Sequence, residues 1–178
     1  DPGGYADAPA QDSFCANTYC WIAIIYDQSP KHNNLTQAPR GGFSGPAMGG
    51  FNNIPIADMA PITIMGHKAY GVFIEPGMGL RQDDPRGTAV DDQAQGQYWV
   101  INGLHFNNGC CFDYGNAEID SRDDESGTME TTYFGNAGAW YHGIPPGPWV
   151  ETDQENNLAG CAKADGSKFC ADLPTVTW

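Results

Sequence analysis

Glycine and proline interrupt this chain so often that no long helix can be placed along it. The 178 residues include 23 glycines and 13 prolines, and stretches such as residues 40–46 are typical of turns and irregular loops. Short segments rich in β-branched and aromatic residues lie between these breaks, as is usual for β-strands. The pattern predicts an all-β protein, and many short strands separated by turn signals favour a β-sandwich.

The strand pattern is clearest in six segments. They are residues 21–26, 62–65, 69–74, 97–101, 129–134 and 149–153. Residues 66–68 are predicted to form a tight turn and residues 1–14 a polar surface lead-in. No internal repeat or linker divides the chain, which is consistent with one domain. Because residues 175–178 resemble the middle of a strand, we expect other polypeptide to complete that domain.

The net charge of the chain limits the classes of molecule that it is expected to bind. The chain carries a formal charge of −14, with only eight lysines plus arginines. Such a surface repels phosphate backbones and anionic membranes, which argues against nucleic-acid and membrane binding. No apolar run approaches the roughly 20 residues that a spanning helix needs. A neutral partner is favoured, and sugars are one such class.

The six cysteines form three pairs that are local in sequence. They are Cys15 with Cys20, Cys110 with Cys111, and Cys161 with Cys170. An even number in local pairs favours disulfides, and therefore an oxidising compartment outside the cytosol. The first and third pairs are interpreted as structural staples. No cysteine or histidine spacing fits a zinc site, so neither a metal nor a cofactor is expected.

The adjacent cysteines Cys110 and Cys111 are the most unusual feature. Consecutive Cα atoms lie about 3.8 Å apart, below the usual disulfide range of roughly 4.4–6.8 Å, so a bridge between them would be rigid and strained. The alternative is that each cysteine pairs elsewhere or stays reduced and buried.

Asn34-Leu35-Thr36 is a glycosylation sequon, which is consistent with secretion.

An acidic segment follows Trp149. Strand alternation would place Glu151, Asp153 and Glu155 on one face, where close carboxylates raise one another's pKa. Glycoside hydrolysis uses two carboxylates, one of them the nucleophile in retaining enzymes. The alternative is a solvent-facing strand in a generally acidic protein.

Seven segments of the chain carry a family resemblance. The strongest is Cys-Cys-Phe-Asp-Tyr-Gly-Asn-Ala-Glu at residues 110–118, and the others are residues 10–15, 24–29, 34–39, 67–73, 147–149 and 153–158. Together these segments resemble the catalytic domains of the α-L-arabinofuranosidase B family, glycoside hydrolase family 54. The resemblance runs in order along most of the chain and implies a concanavalin or lectin-like jelly-roll sandwich.

The resemblance also implies roles for individual residues. Glu155 matches the family's catalytic nucleophile, which forms a covalent arabinosyl–enzyme intermediate. Asp153 and Asn156 match groups that hydrogen-bond the arabinose, and Trp140 matches a ring that stacks near the sugar. Cys110-Cys111 matches a vicinal disulfide that lines the sugar pocket. The Cys15–Cys20 pair matches a family disulfide, whereas Cys161–Cys170 matches no family pattern.

The implied function is that of a secreted enzyme removing terminal α-L-arabinofuranosyl groups from arabinoxylan or arabinan. The family's acid/base aspartate lies downstream of residue 178, and its arabinose-binding β-trefoil is absent from the sequence. The 178 residues are therefore expected to form part of one catalytic domain, with the remaining polypeptide as a partner. The alternative is a non-catalytic sugar-binding or structural extracellular protein on the same scaffold.

Overall fold

The computed structural model of the chain describes residues 3–40, 42–43, 49–89, 93–108, 113–116, 122–123, 130–136, 148–154 and 176–177. Within these ranges there are one helix and eleven strands. They are α1 (Ala8–Cys15), β1 (Ile24–Ile25), β2 (Leu35–Gln37), β3 (Gly42–Phe43), β4 (Pro61–Ile64), β5 (His67–Tyr70), β6 (Leu80–Arg81), β7 (Asp113–Asn116), β8 (Arg122–Asp123), β9 (Glu130–Gly135), β10 (Trp149–Gln154) and β11 (Val176–Thr177). The all-β prediction is confirmed.

The chain divides into two compact units. The first comprises Asp1–Arg40 and Gly49–Pro85, and the second comprises Gly41–Met48 and Arg86–Trp178. The first unit contains a sheet of order β1-β2-β6 and the β4-β5 hairpin. The second contains a sheet of order β11-β10-β9-β7 and a parallel β3-β8 pair.

Helix α1 corrects the prediction that residues 1–14 form only a polar lead-in. Asp7 caps the helix, because its Oδ1 accepts a hydrogen bond from the Ala10 amide at 3.1 Å. Pro9 lies in the first turn, where its missing N–H has no intrahelical partner to lose. Ala8 and Cys15 are buried. No helix among the described residues is long and apolar enough to cross a membrane.

The β4-β5 hairpin turns one residue earlier than predicted. Ile64 pairs with His67, and the two residues between them, Met65 and Gly66, have φ angles of 51° and 85°. A two-residue turn with positive φ at both positions follows the right-handed twist of its strands. The loop therefore comprises Met65 and Gly66, and His67 and Lys68 belong to β5.

The prediction of a strand at residues 97–101 is wrong, since the structure assigns this segment to none of the sheets. It is still packed. The ring of Trp99 stacks on Tyr114 at 5.9 Å between centroids and meets the edge of Phe134 at 6.5 Å. Phe106 meets Phe134 at 6.0 Å. Among the described residues, Phe134 and the neighbouring Tyr133 are the buried hydrophobic side chains of the second unit, and the other rings pack around Phe134.

Candidate active site

Strand β10 carries the acidic segment that the sequence singles out. It pairs antiparallel with β9 through six consecutive positions, from Trp149 opposite Gly135 to Gln154 opposite Glu130. Strand alternation places the Glu151 and Asp153 positions on one face of the sheet. The same face carries Tyr133 and Thr131 of β9, each only 2% exposed.

The other face of this sheet is aromatic. Thr132 and Phe134 of β9 alternate with the residues of the acidic face, and Tyr114 of β7 pairs with Thr132. Phe134, Tyr114 and Trp99 form the ring contacts of the core on this side. The side-chain hydroxyl of Thr132 hydrogen-bonds Gln97, which attaches the 97–101 segment to the sheet. Both faces of the sheet are thus packed at β9, and we call the face that carries the Glu151 and Asp153 positions the acidic face.

The surroundings of Asp153 are defined by the strand register. Asp153 lies opposite Thr131, and Thr131 in turn lies opposite Gly115 of β7. Gly115 has a φ angle of 141°, a conformation that residues with a Cβ rarely adopt. The backbones of β7 and β10 are about 10 Å apart, two strand spacings. The acidic face therefore has a buried threonine beside Asp153 and no side chain at the next position.

Most of the other predicted site residues lie outside the described residues. This applies to Glu155, Asn156, Trp140, Cys110, Cys111, Cys161 and Cys170. Their roles, and the Cys110–Cys111 and Cys161–Cys170 bridges, stay predictions.

Strands β7 and β10 run in the same direction, because each is antiparallel to β9. In the sequence, Cys110 and Cys111 come shortly before β7, and Glu155 comes directly after β10.

Gly135, the last residue of β9, leaves space on the acidic face that the Tyr133 side chain occupies. A Cβ placed on Gly135 would lie 2.8 Å from Cζ of Tyr133, closer still to the Tyr133 hydroxyl, and 3.0 Å from the Asn107 carbonyl oxygen. The Tyr133 ring therefore leans along β9 over the glycine. Sequence reasoning missed this pair, since its only signal is an aromatic residue two positions before a glycine within a strand.

The Cys15–Cys20 disulfide is present, with its Cα atoms 5.5 Å apart. It joins the end of α1 to the segment before β1 in the first unit. Both sulfurs approach Asp58, with potential ligand atoms within 4.8 Å of one another. Sulfurs bonded to each other are not thiolates, so this group cannot act as a cysteine metal site.

Asn34 of the sequon is half-buried and lies directly before β2. Its side-chain Oδ1 accepts a hydrogen bond from the Asp27 amide at 2.9 Å. The Asp27 carboxylate accepts hydrogen bonds from Ser29 and the Asn33 amide, and these bonds lower the pKa of Asp27. The loop before the sequon is thus closed by its own polar groups.

Comparison with known proteins agrees with the resemblance seen in the sequence. The family described as "Alpha-L-arabinofuranosidase B, catalytic" matches residues 1–172. The chain belongs to this family. Alpha-L-arabinofuranosidase B of Aspergillus kawachii is 56% identical over 156 residues, which cover 88% of this chain and 31% of the relative. The Emericella nidulans protein of the same name is 53% identical over 176 residues, covering 99% and 34%.

Solved structures give the same result for the fold. A crystal structure of arabinofuranosidase complexed with arabinofuranosyl-α-1,2-xylobiose matches with a TM-score of 0.82 and 49% identity, covering 99% of this chain and 36% of that one. An arabinofuranosidase of glycoside hydrolase family 54 soaked with a cyclic sulfate inhibitor matches equally, at 50% identity. The predicted sandwich fold is that of the arabinofuranosidase B family. The chain spans about a third of the length of these curated relatives.

Proposed function

We propose that the protein carrying this chain is a retaining exo-hydrolase that releases terminal α-L-arabinofuranosyl groups from arabinoxylan or arabinan. The observation that carries the proposal is the family match over residues 1–172. It is supported by strand β10, whose acidic face bears Asp153 and which ends directly before Glu155. A solved relative holds an arabinofuranosyl-xylobiose, which supports this class of substrate.

The reaction proceeds in two steps. The Glu155 carboxylate attacks the anomeric carbon and forms a covalent ester, while the glycosidic C–O bond breaks and a general acid protonates the leaving oxygen. A water molecule, deprotonated by the same group, then attacks that carbon and releases arabinose and the free carboxylate. Two displacements at one carbon retain its configuration.

The chain's own residues would bind and orient the sugar. Asp153, on the acidic face beside Thr131, accepts hydrogen bonds from arabinose hydroxyls, and Asn156 adds a further polar contact. Trp140 and a Cys110–Cys111 disulfide supply flat apolar surfaces for the sugar ring. Polypeptide outside the 178 residues provides the acid/base aspartate, in keeping with relatives that are about three times as long.

We also propose that the protein is secreted and carries a glycan on Asn34. The disulfide Cys15–Cys20 supports an oxidising compartment. The Oδ1 atom of Asn34 bonds the Asp27 amide, so a glycan on Nδ2 leaves that hydrogen bond intact. Peptide mapping of protein secreted by its source, before and after enzymatic deglycosylation, should find the glycan at Asn34. An unmodified Asn34 peptide would overturn this assignment.

The function is tested on the full-length protein purified from its source. Incubation with arabinoxylan and with p-nitrophenyl α-L-arabinofuranoside should release free arabinose, without shorter xylan fragments. Proton NMR of the reaction should show that the arabinose released first has the same anomeric configuration as the substrate. That result identifies the retaining mechanism. Binding to arabinoxylan without release of arabinose would instead favour the non-catalytic alternative.

A further inference from the structure

Thr131 is a polar residue buried in the middle of a sheet. Its side chain is only 2% exposed, and among the residues whose side chains the structure describes, no other aliphatic hydroxyl, amide or charged group is buried to this extent. Further polypeptide of a longer protein can only increase this burial. Valine has the same shape and suits a buried strand position without a polar group, so the threonine hydroxyl needs a reason.

The strand register shows which side chain the buried hydroxyl can reach. Buried hydroxyls are hydrogen-bonded as a rule, because an unpaired donor in the interior costs free energy. On β7 the residue opposite Thr131 is Gly115, which has no side chain, and on β10 it is Asp153. Directly opposed residues have Cβ atoms about 4.5–5.5 Å apart, which is within reach of a hydrogen bond between threonine and aspartate.

The other described polar positions of the acidic face lie farther from Thr131. Glu151 and Asp113 are both paired with Tyr133, so they are diagonal neighbours of Thr131 at about 7–8 Å. Tyr133 itself lies two residues along β9, and its ring leans toward the end of that strand, away from Thr131. Asp153 is therefore the acceptor that the register places nearest to the Thr131 hydroxyl.

We propose that Thr131 is a positioning residue for sugar binding, whose hydroxyl donates a hydrogen bond to the Asp153 carboxylate. This inference rests on the proposed function, because the family resemblance assigns Asp153 to the arabinose. A carboxylate that accepts one hydrogen bond from a packed side chain of the neighbouring strand has fewer orientations available. Its remaining lone pairs are then held toward the sugar hydroxyls.

The test is steady-state kinetics on p-nitrophenyl α-L-arabinofuranoside with variants of the full-length protein. Thr131→Val removes the hydroxyl and keeps the shape of the side chain, whereas Thr131→Ser keeps the hydroxyl. Thr132→Val is the matched control, because it also removes a bonded threonine hydroxyl from β9, but one that contacts Gln97 on the opposite face. Thr131→Val is also combined with Asp153→Ala in a double-mutant cycle.

Thr131→Val should lower kcat/KM by about three- to tenfold, because it removes one hydrogen bond to a sugar-binding group and leaves the group itself in place. Thr131→Ser and Thr132→Val should stay close to the wild type. In the Asp153→Ala background, Thr131→Val should change kcat/KM by less than about twofold, because the acceptor is already gone.

Equal values of kcat/KM for Thr131→Val and Thr132→Val in an active protein would overturn this inference and leave the proposed function standing. A loss that Thr131→Ser does not restore would also overturn it, as would a loss that is undiminished in the Asp153→Ala background. Either result would show that Thr131 acts through packing or through another group. An inactive wild type would instead overturn the proposed function, and this inference with it.

Discussion

Asp153 of β10 lies directly opposite Thr131 of β9, on the acidic face of the sheet. Thr131 is only 2% exposed, so this part of the face is packed. The pairing connects the position that the family resemblance assigns to sugar binding with a strand whose backbone is held on both sides, by β10 and β7. A sugar-binding carboxylate on a paired strand is positioned more accurately than one on a loop.

Asp153→Asn should lower kcat/KM for an arabinofuranoside by about ten- to a hundredfold, because hydrogen bonds to a charged acceptor contribute about 1.5–3 kcal/mol. Thr152→Ser is the matched control, since position 152 pairs with Thr132 and belongs to the opposite face. Steady-state kinetics on the full-length protein would check this. Equal activities of Asp153→Asn and the control would remove Asp153 from the site.

Gly135→Ala should destabilise the protein by about 1–3 kcal/mol, the usual cost of overpacking. The added Cβ would lie 2.8 Å from Cζ of Tyr133, whose ring is buried and cannot easily move away. Gly96→Ala is the control, since no atom lies within 4 Å of a Cβ at that position. Urea unfolding would measure both variants.

A double-mutant cycle separates the clash with Tyr133 from the other effects of Gly135→Ala on stability. In a Tyr133→Ala background, Gly135→Ala should cost less than it does alone, because the clashing ring is gone. Strictly additive effects would show that the ring is not what restricts position 135.

Asp12 should contribute a small, pH-dependent stabilisation of the first unit. Its carboxylate accepts hydrogen bonds from Lys68 Nζ at 2.7 and 2.8 Å and another from the Tyr70 hydroxyl, joining α1 to β5. Lys68 first, and then Tyr70, hold the pKa of Asp12 below its ordinary value of 3.8. A lowered pKa in the folded state means stability that is present above pH 3.8 and is lost as the pH falls through the folded-state pKa.

Thermal melts of the wild type and Asp12→Asn should therefore differ at pH 7 and converge as the pH falls below 3.8. The difference should be small and should shrink in high salt, because both side chains are about half exposed, at 47% and 40%. The exposed Asp58 provides a control as Asp58→Asn. A gap between wild type and Asp12→Asn that persists unchanged into strong acid would contradict the assignment.

The sequence predicts much of this fold because several strands carry their own signal. β9 and β10 are runs of β-branched, aromatic and alternating residues, and the structure has them within a residue or two of the predicted bounds. The sequence did not predict α1, because Pro9 suggests a break in helical structure. Proline is nevertheless acceptable in the first turn of a helix, here the turn that Asp7 caps. A long-range contact, Asp12 with Lys68, also joins α1 to β5, and the local sequence pattern does not contain that contact.

The site was predictable in chemistry but not in arrangement. Alternation alone gives the shared face of Glu151 and Asp153, and the family resemblance gives the role of Asp153. Neither gives Thr131 and Gly115 as its neighbours, since these depend on the register between strands distant in sequence. The wrong strand prediction at residues 97–101 has a related cause. An apolar run indicates that a segment is buried, but it does not identify what the segment packs against.

The role of Glu155 as the nucleophile is tested most directly by the activity of full-length protein carrying Glu155→Gln, measured on p-nitrophenyl α-L-arabinofuranoside beside the wild type. Gln154→Asn, a conservative change at the neighbouring position, is the control. The wild type and the control should hydrolyse the substrate, whereas Glu155→Gln should lose at least about a thousandfold in kcat, because no covalent intermediate can form. An unchanged rate in Glu155→Gln, or no activity in the intact wild type, would contradict the proposed hydrolase.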